Sequence, residues 1–146
     1  MDDLKKLALE LLEIEKRFLL DDGEDYRAAV VVVVAPEGRY WEEVDFENEA
    51  EKLSAFAAIV DRARLKHALA IITINTGFES AKPLPGYCWG DLEHSGAQRV
   101  ITLTVSGPSL EACSLSLPFS IENGSLSVGE IGDFEPAVIG LLPNWP

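Results

Sequence analysis

The sequence predicts an α+β fold, with two helices packed on a mixed, mostly antiparallel sheet of about five to six strands. Three observations carry that expectation. A leucine stripe at helical spacing opens the chain, β-branched runs follow it, and a meander of alternating strands punctuated by Gly, Pro and Asn-Gly comes after. At 146 residues the chain has the size of one ordinary domain, which buries roughly 70% of the surface its unfolded state exposes. Residues 1–146 are therefore expected to share one core, with an apolar, proline-containing C-terminal tail over about 133–146.

Between Asp2 and Leu20 the apolar residues Leu4, Leu7, Ala8, Leu11, Ile14 (or Leu12), Phe18 and Leu19 recur at helical spacing while charges take the opposite side. That pattern predicts an amphipathic helix of about five turns, stopped by Asp21-Asp22-Gly23. The run Ala28 to Ala35 is β-branched without alternation, as expected of a central strand covered on both faces. Pro36-Glu37-Gly38 makes a turn. Tyr40 to Phe46 then alternates, with Tyr40, Val44 and Phe46 on one side and Trp41, Glu43 and Asp45 on the other, a hairpin partner nearer an edge. Asn48 can cap a second helix, with Glu51 placed as in a capping box and Leu53, Phe56, Ala57, Val60 and Arg64 at the helical period; it should end near Lys66. Ala68 to Ile74 reads as another internal strand.

Residues 77–98 carry Gly, Pro and polar punctuation without periodicity, a connection longer than the ~12–15 residues beyond which loops become uncommon. Beyond it, Arg99 to Val105 alternates, with Ile101, Leu103 and Val105 opposite Thr102 and Thr104, and Gly107-Pro108 turns the chain. Cys113, Leu115, Leu117 and Phe119 share a face of the next strand, and Asn123-Gly124 is a strong hairpin signal that pairs Ile121 with Leu126 and Phe119 with Val128. Pro118 lacks a donor and pushes its strand toward an edge or a bulge. From Gly132 the chain is irregular yet apolar, with Val138, Ile139, Leu141, Leu142 and Trp145 set among Pro136, Pro143 and Pro146. Residues 137–145 are expected to be buried, within the domain or in a homodimer, because such a patch is not tolerated on a soluble surface. Both helices are expected against one face of the sheet.

In outline, this order of a helix, a valine-rich hairpin, a second helix and further strands resembles a group of small uncharacterised bacterial α+β proteins. The resemblance covers most of the chain, rests on pattern, and implies neither an activity nor a functional residue.

Asp and Glu number 25 against 12 Lys and Arg, a net charge of −13, which repels phosphate backbones and anionic lipid surfaces. Neither nucleic acid nor a membrane is an expected partner. The longest uninterrupted apolar run, Ala28 to Ala35, falls far short of the ~20 residues of a membrane-spanning helix. An acidic start and charges throughout the leucine-rich stretch are unlike a secretory signal, so a cytoplasmic location is expected. Cys88 and Cys113, the only cysteines, are expected to be free thiols.

Chemistry-bearing residues concentrate in the long connection. Cys88 and His94 lie there with Tyr87, Trp89, Asp91 and Glu93, so Cys88 could serve as a nucleophile and His94, Asp91 or Glu93 as acid-base groups. The neighbouring acids disfavour a thiolate, however, and predict ordinary reactivity for Cys88 with labelling rising around pH 8–9. Paired ligands at metal spacing are missing, and His67 is placed to cap a helix end; no metal is expected. Gly-x-Gly-x-x-Gly, Gly-x-x-x-x-Gly-Lys-Ser/Thr and Gly-x-Ser-x-Gly do not occur, and no cofactor is expected. The acidic run Glu42, Glu43, Asp45, Glu47, Glu49 and Glu51 is answered by Arg62, Arg64 and Lys66 at the far end of the second helix, the distribution a helix dipole favours.

These features favour a non-enzymatic interaction protein that self-associates and has room for a further protein partner. Two other readings stand beside it. A small-molecule pocket could lie beneath residues 77–98, or the acidic surface could block a basic partner in the manner of a DNA mimic.

Overall fold

A computed structural model of the chain describes residues 2–23, 29–44, 47–79, 98–108 and 110–137. They form α1 (Asp2–Asp22), β1 (Ala29–Ala35), β2 (Gly38–Glu43), α2 (Glu49–Leu65), β3 (Ala70–Glu79), β4 (Gln98–Gly107), β5 (Leu110–Glu122), β6 (Ser125–Val128) and β7 (Glu135–Pro136). The strands build a seven-stranded sheet in the order β2-β1-β3-β4-β5-β6, with β7 also on β5. Each of these pairings is antiparallel. The α+β class is as expected, two helices on an antiparallel sheet.

The valine run settles how the layers stack. Successive strand side chains point to opposite faces, so Val32, flanked by the half-buried Val30 and Val34, enters one core while Val31 and Val33 enter another. Helix α1 covers the first core with Leu7, Ala8, Leu11, Leu12 and Leu19. Helix α2 covers the second with Phe56, Ile59, Val60 and Ala63. The helices therefore lie on opposite faces, which corrects the expectation that both share one. A common face would leave either Val32 or the Val31 and Val33 pair facing water, at ~1.5–3 kcal/mol for each valine left unburied.

Across the sheet the first core continues through Ile72, Ile74, Ile101, Leu103, Val105, Leu115, Leu117 and Phe119. The second is smaller. Beyond Ile71 its face turns to polar residues, Thr73, Thr104 and Ser114 in one cross-strand row and Asn75, Thr102 and Ser116 in the next. The alternation read from Arg99 to Val105 is thus an apolar face under α1 backed by a hydroxyl face.

Strand β3 extends to Glu79, well past the Ile74 expected from its apolar content, because Asn75 to Glu79 pair with Gln98 to Thr102. Ladder pairing outweighs the weak β-propensity of Asn and Gly. Strand β2 ends earlier than expected, at Glu43, and Asp45 and Phe46 lie outside the described residues. At the far end, Asn123 (φ 52°) and Gly124 (φ 77°) make the expected tight turn, with Ile121 opposite Leu126 and Phe119 opposite Val128. Pro118 sits where β6 has run out, and its carbonyl accepts from the Gly129 amide. The chain then follows the outer side of β5, where Gly132 donates to Ser116 and Ala137 to Ala112. Of the tail expected to be buried, residues 138–146 lie outside the described residues.

Both ends of α2 are closed by local chemistry. The Asn48 side chain accepts from the Glu51 amide, while the Glu51 carboxylate accepts from the Glu47 amide, one residue earlier than in a capping box. At the other end the His67 amide donates to Arg64 and the Ala68 amide to Ala63, a Schellman closure with His67 in the left-handed region at φ 52°. The backbone of His67, rather than its imidazole, ends the helix. A side chain in that conformation is strained by about 1 kcal/mol, which glycine avoids. His67→Gly is accordingly expected to stabilise the protein by about 0.5–1 kcal/mol in urea unfolding. A loss of stability would show that the imidazole contributes more than its backbone strain costs.

Candidate functional site

Strand β2 is the terminal strand on its side of the sheet, and its geometry follows from the turn before it. Ala35 and Gly38 close the hairpin around Pro36 and Glu37, and residues paired across so short a loop exchange both backbone hydrogen bonds. Gly38, Tyr40 and Glu42 therefore direct N–H and C=O toward β1. Arg39, Trp41 and Glu43 direct theirs outward, where no strand pairs with them among the described residues. The opposite side of the sheet is treated differently: β6 is short, and residues 129–137 run along the rest of β5.

The side chains of Arg39, Trp41 and Glu43 share the face that α1 covers. Trp41 stands opposite Val32, which begins the buried row Val32, Ile72, Val105, Cys113. Trp41 ends that row at the sheet edge, 54% exposed, and Arg39 and Glu43 flank it in solvent. Lys5 of α1 lies 5.2 Å from the Phe134 ring, beyond β5. At ~100° per residue, Ile14 and Phe18 fall on the other flank of the helix, toward the β1–β2 half, and both are exposed.

On the opposite face Tyr40 and Glu42 are held by α2 and the turn. The Tyr40 hydroxyl donates to Glu37 at 3.1 Å, the Lys66 ammonium sits 4.0 Å from the Tyr40 ring, and Glu42 is ion-paired with Arg62. The hydrogen bond to Glu37 is the main reason that the Tyr40 phenol is pushed above its ordinary pKa. These contacts hold the inner face of β2, while its outer edge has no strand partner among the described residues. Of the acidic run, Glu42 is engaged by Arg62 and, at the start of α2, Glu51 by the Glu47 amide. Leu65 and Leu69, at the turn from α2 into β3, are exposed as well.

Cys88, Asp91, Glu93 and His94, the weighed catalytic candidates, lie outside the described residues, as does the pocket expected beneath them. His67 is exposed at the end of α2. Among the described residues no group of His, Cys, Asp and Glu is placed to hold a metal ion. Ser106, next to the β4 bulge, is buried, and its hydroxyl has no hydrogen-bond partner among the described residues. In the sequence Trp41 stands out only by its place in the alternation of residues 40–46. The available signal was a tryptophan on the charged side of a strand already expected near an edge.

Cys113 is a free, buried thiol, and burial pushes its pKa above the usual value of 9.0, with the Lys5 ammonium pulling partly back. A raised folded-state pKa means that the folded protein holds the proton more tightly than the unfolded chain. The associated stability is present below pH ~9 and is lost as pH rises through the folded-state value. In a Cys88→Ser background, Cys113 is expected to react with a thiol reagent near pH ~8 only as fast as the protein unfolds. Stability should also fall more steeply above pH ~9 than in Cys113→Ala. Rapid labelling of the folded protein would contradict this burial.

No helix among the described residues is long and apolar enough to cross a membrane. No protein-family model, curated protein or solved structure matches this chain.

Proposed function

We propose that the protein acts by binding another polypeptide along the β2 edge rather than by catalysing a reaction. One observation carries this reading: Trp41 is 54% exposed at the end of a buried apolar row, on a strand whose outward backbone groups have no partner among the described residues. An open edge is a template for strand addition, and proteins that do not use an edge usually blunt it with charged side chains, lysine above all, with proline or with a bulge. Residues 38–43 contain no lysine or proline, and their pairing with β1 runs without a register shift. Tryptophan at such a position supplies a large contact area at little entropic cost.

The test compares proteins retained from a native extract by the wild type, by Trp41→Ser and by Leu65→Ser, a control at another exposed apolar position. A partner retained by the wild type and by Leu65→Ser, but about tenfold or more weakly by Trp41→Ser in titration, is the expected result. Equal binding by all three would remove the β2 edge from the function.

A further inference from the structure

We infer that the β2 edge receives the same strand of a second copy, giving a two-fold dimer in which the sheet continues from one protomer into the next. This rests on the reading of β2 as a docking edge and names its occupant. Residues opposite each other in an antiparallel pair must have side chains on the same face and, for a full ladder here, outward backbone groups. Centring the two-fold axis on Trp41 meets both conditions, because it sets Arg39 of each copy opposite Glu43 of the other and Trp41 opposite its own equivalent. Arg39, Trp41 and Glu43 are the residues whose backbone groups point outward, so the pairing closes a ladder of about six hydrogen bonds.

Charge then selects this occupant. With that register each arginine meets a glutamate on both sides of the axis, so the strand sequence is complementary to itself. A shift of two residues along the strand places Arg39 against Trp41 in one direction and Trp41 against Glu43 in the other, and either way Glu43 has no cation opposite it. Between the two Arg–Glu pairs the tryptophans join the rows that begin at Val32 in each copy. Ile14 and Phe18 lie on the flank of α1 turned toward the same side. The helices on the other face leave room. Helix α2 packs over Val31, Val33 and Ile71, so the two copies of α2 stand about three strand spacings or more apart, roughly 14 Å, beyond the 8–10 Å of direct helix packing. Net charge of −13 on each copy opposes association, but at physiological salt its reach is limited to about 8 Å. An edge-only contact of this kind belongs with small, weak interfaces.

Sedimentation of the full chain over about 1–500 µM in physiological salt tests the proposal. The wild type is expected to pass from monomer to dimer with rising concentration. Arg39→Glu and Glu43→Arg, which each place like charges together twice, should weaken the dimer about tenfold or more. The double variant Arg39→Glu/Glu43→Arg should recover most of the loss, because it restores both pairs with their signs exchanged. Both positions are exposed, and thermal unfolding of each variant at low concentration checks that the fold is intact. A wild type that stays monomeric throughout, or a dimer indifferent to the single reversals, overturns the proposal. A monomeric wild type that still shows Trp41-dependent retention of another protein overturns the dimer alone and leaves β2 as the docking edge for a foreign strand. Monomeric behaviour without such retention overturns both.

Discussion

Everything in this structure hangs on the burial of one strand from two sides. Strand β1 has valines from Val30 to Val34 with no polar residue to mark an outer face, so each face needs its own cover. A three-layer arrangement satisfies it, α1 on one side and α2 on the other. The consequences reach the sheet edge. With β3 taking one side of β1, the hairpin Pro36–Glu37 places β2 on the other, and β2 becomes the outermost strand.

The two ends of the sheet then receive unlike treatment. Past β5 the chain doubles back, and residues 129–137 satisfy backbone groups that would otherwise face water. Gly129 shows how tight that return is, since a Cβ there would come within 2.9 Å of Pro118 Cγ. At β2 the inner face is fixed by the Glu42–Arg62 pair and by Lys66 over Tyr40, while the outer edge presents a half-exposed tryptophan between an arginine and a glutamate. A strand held from behind, with no partner on its outer side among the described residues, would lose little ordering entropy if a partner strand were added.

Much of this organisation was legible in the residues. The capping of α2 by Asn48, the Asn123-Gly124 turn and its register follow from local chemistry, and each is found as read; helix α1 also forms as expected, but Ile14 and Phe18 of the expected stripe are exposed and Leu12 is buried instead. The placement of the helices was less accessible, although the unalternating valine run already demanded cover on both faces. Strand β3 runs past Ile74 because it pairs with β4, a non-local interaction that the propensities of Asn75, Thr76 and Gly77 do not announce. The site was legible only in part. Nucleophiles and acids drew the reading toward Cys88, Asp91, Glu93 and His94, outside the described residues. An edge strand declares itself through topology, which a single sequence conveys poorly, and Trp41 alone among β2 residues hinted at it.

Amide hydrogen exchange, read residue by residue at low and high protein concentration, probes the β2 edge most directly. Tyr40 and Glu42 point their amides to β1 and should be slow at both concentrations, whereas Arg39, Trp41 and Glu43 should be fast when dilute and become protected together when concentrated. If those three outward amides exchange equally fast at every concentration, and stay fast in the presence of any partner that binds, β2 is not the edge through which this protein works.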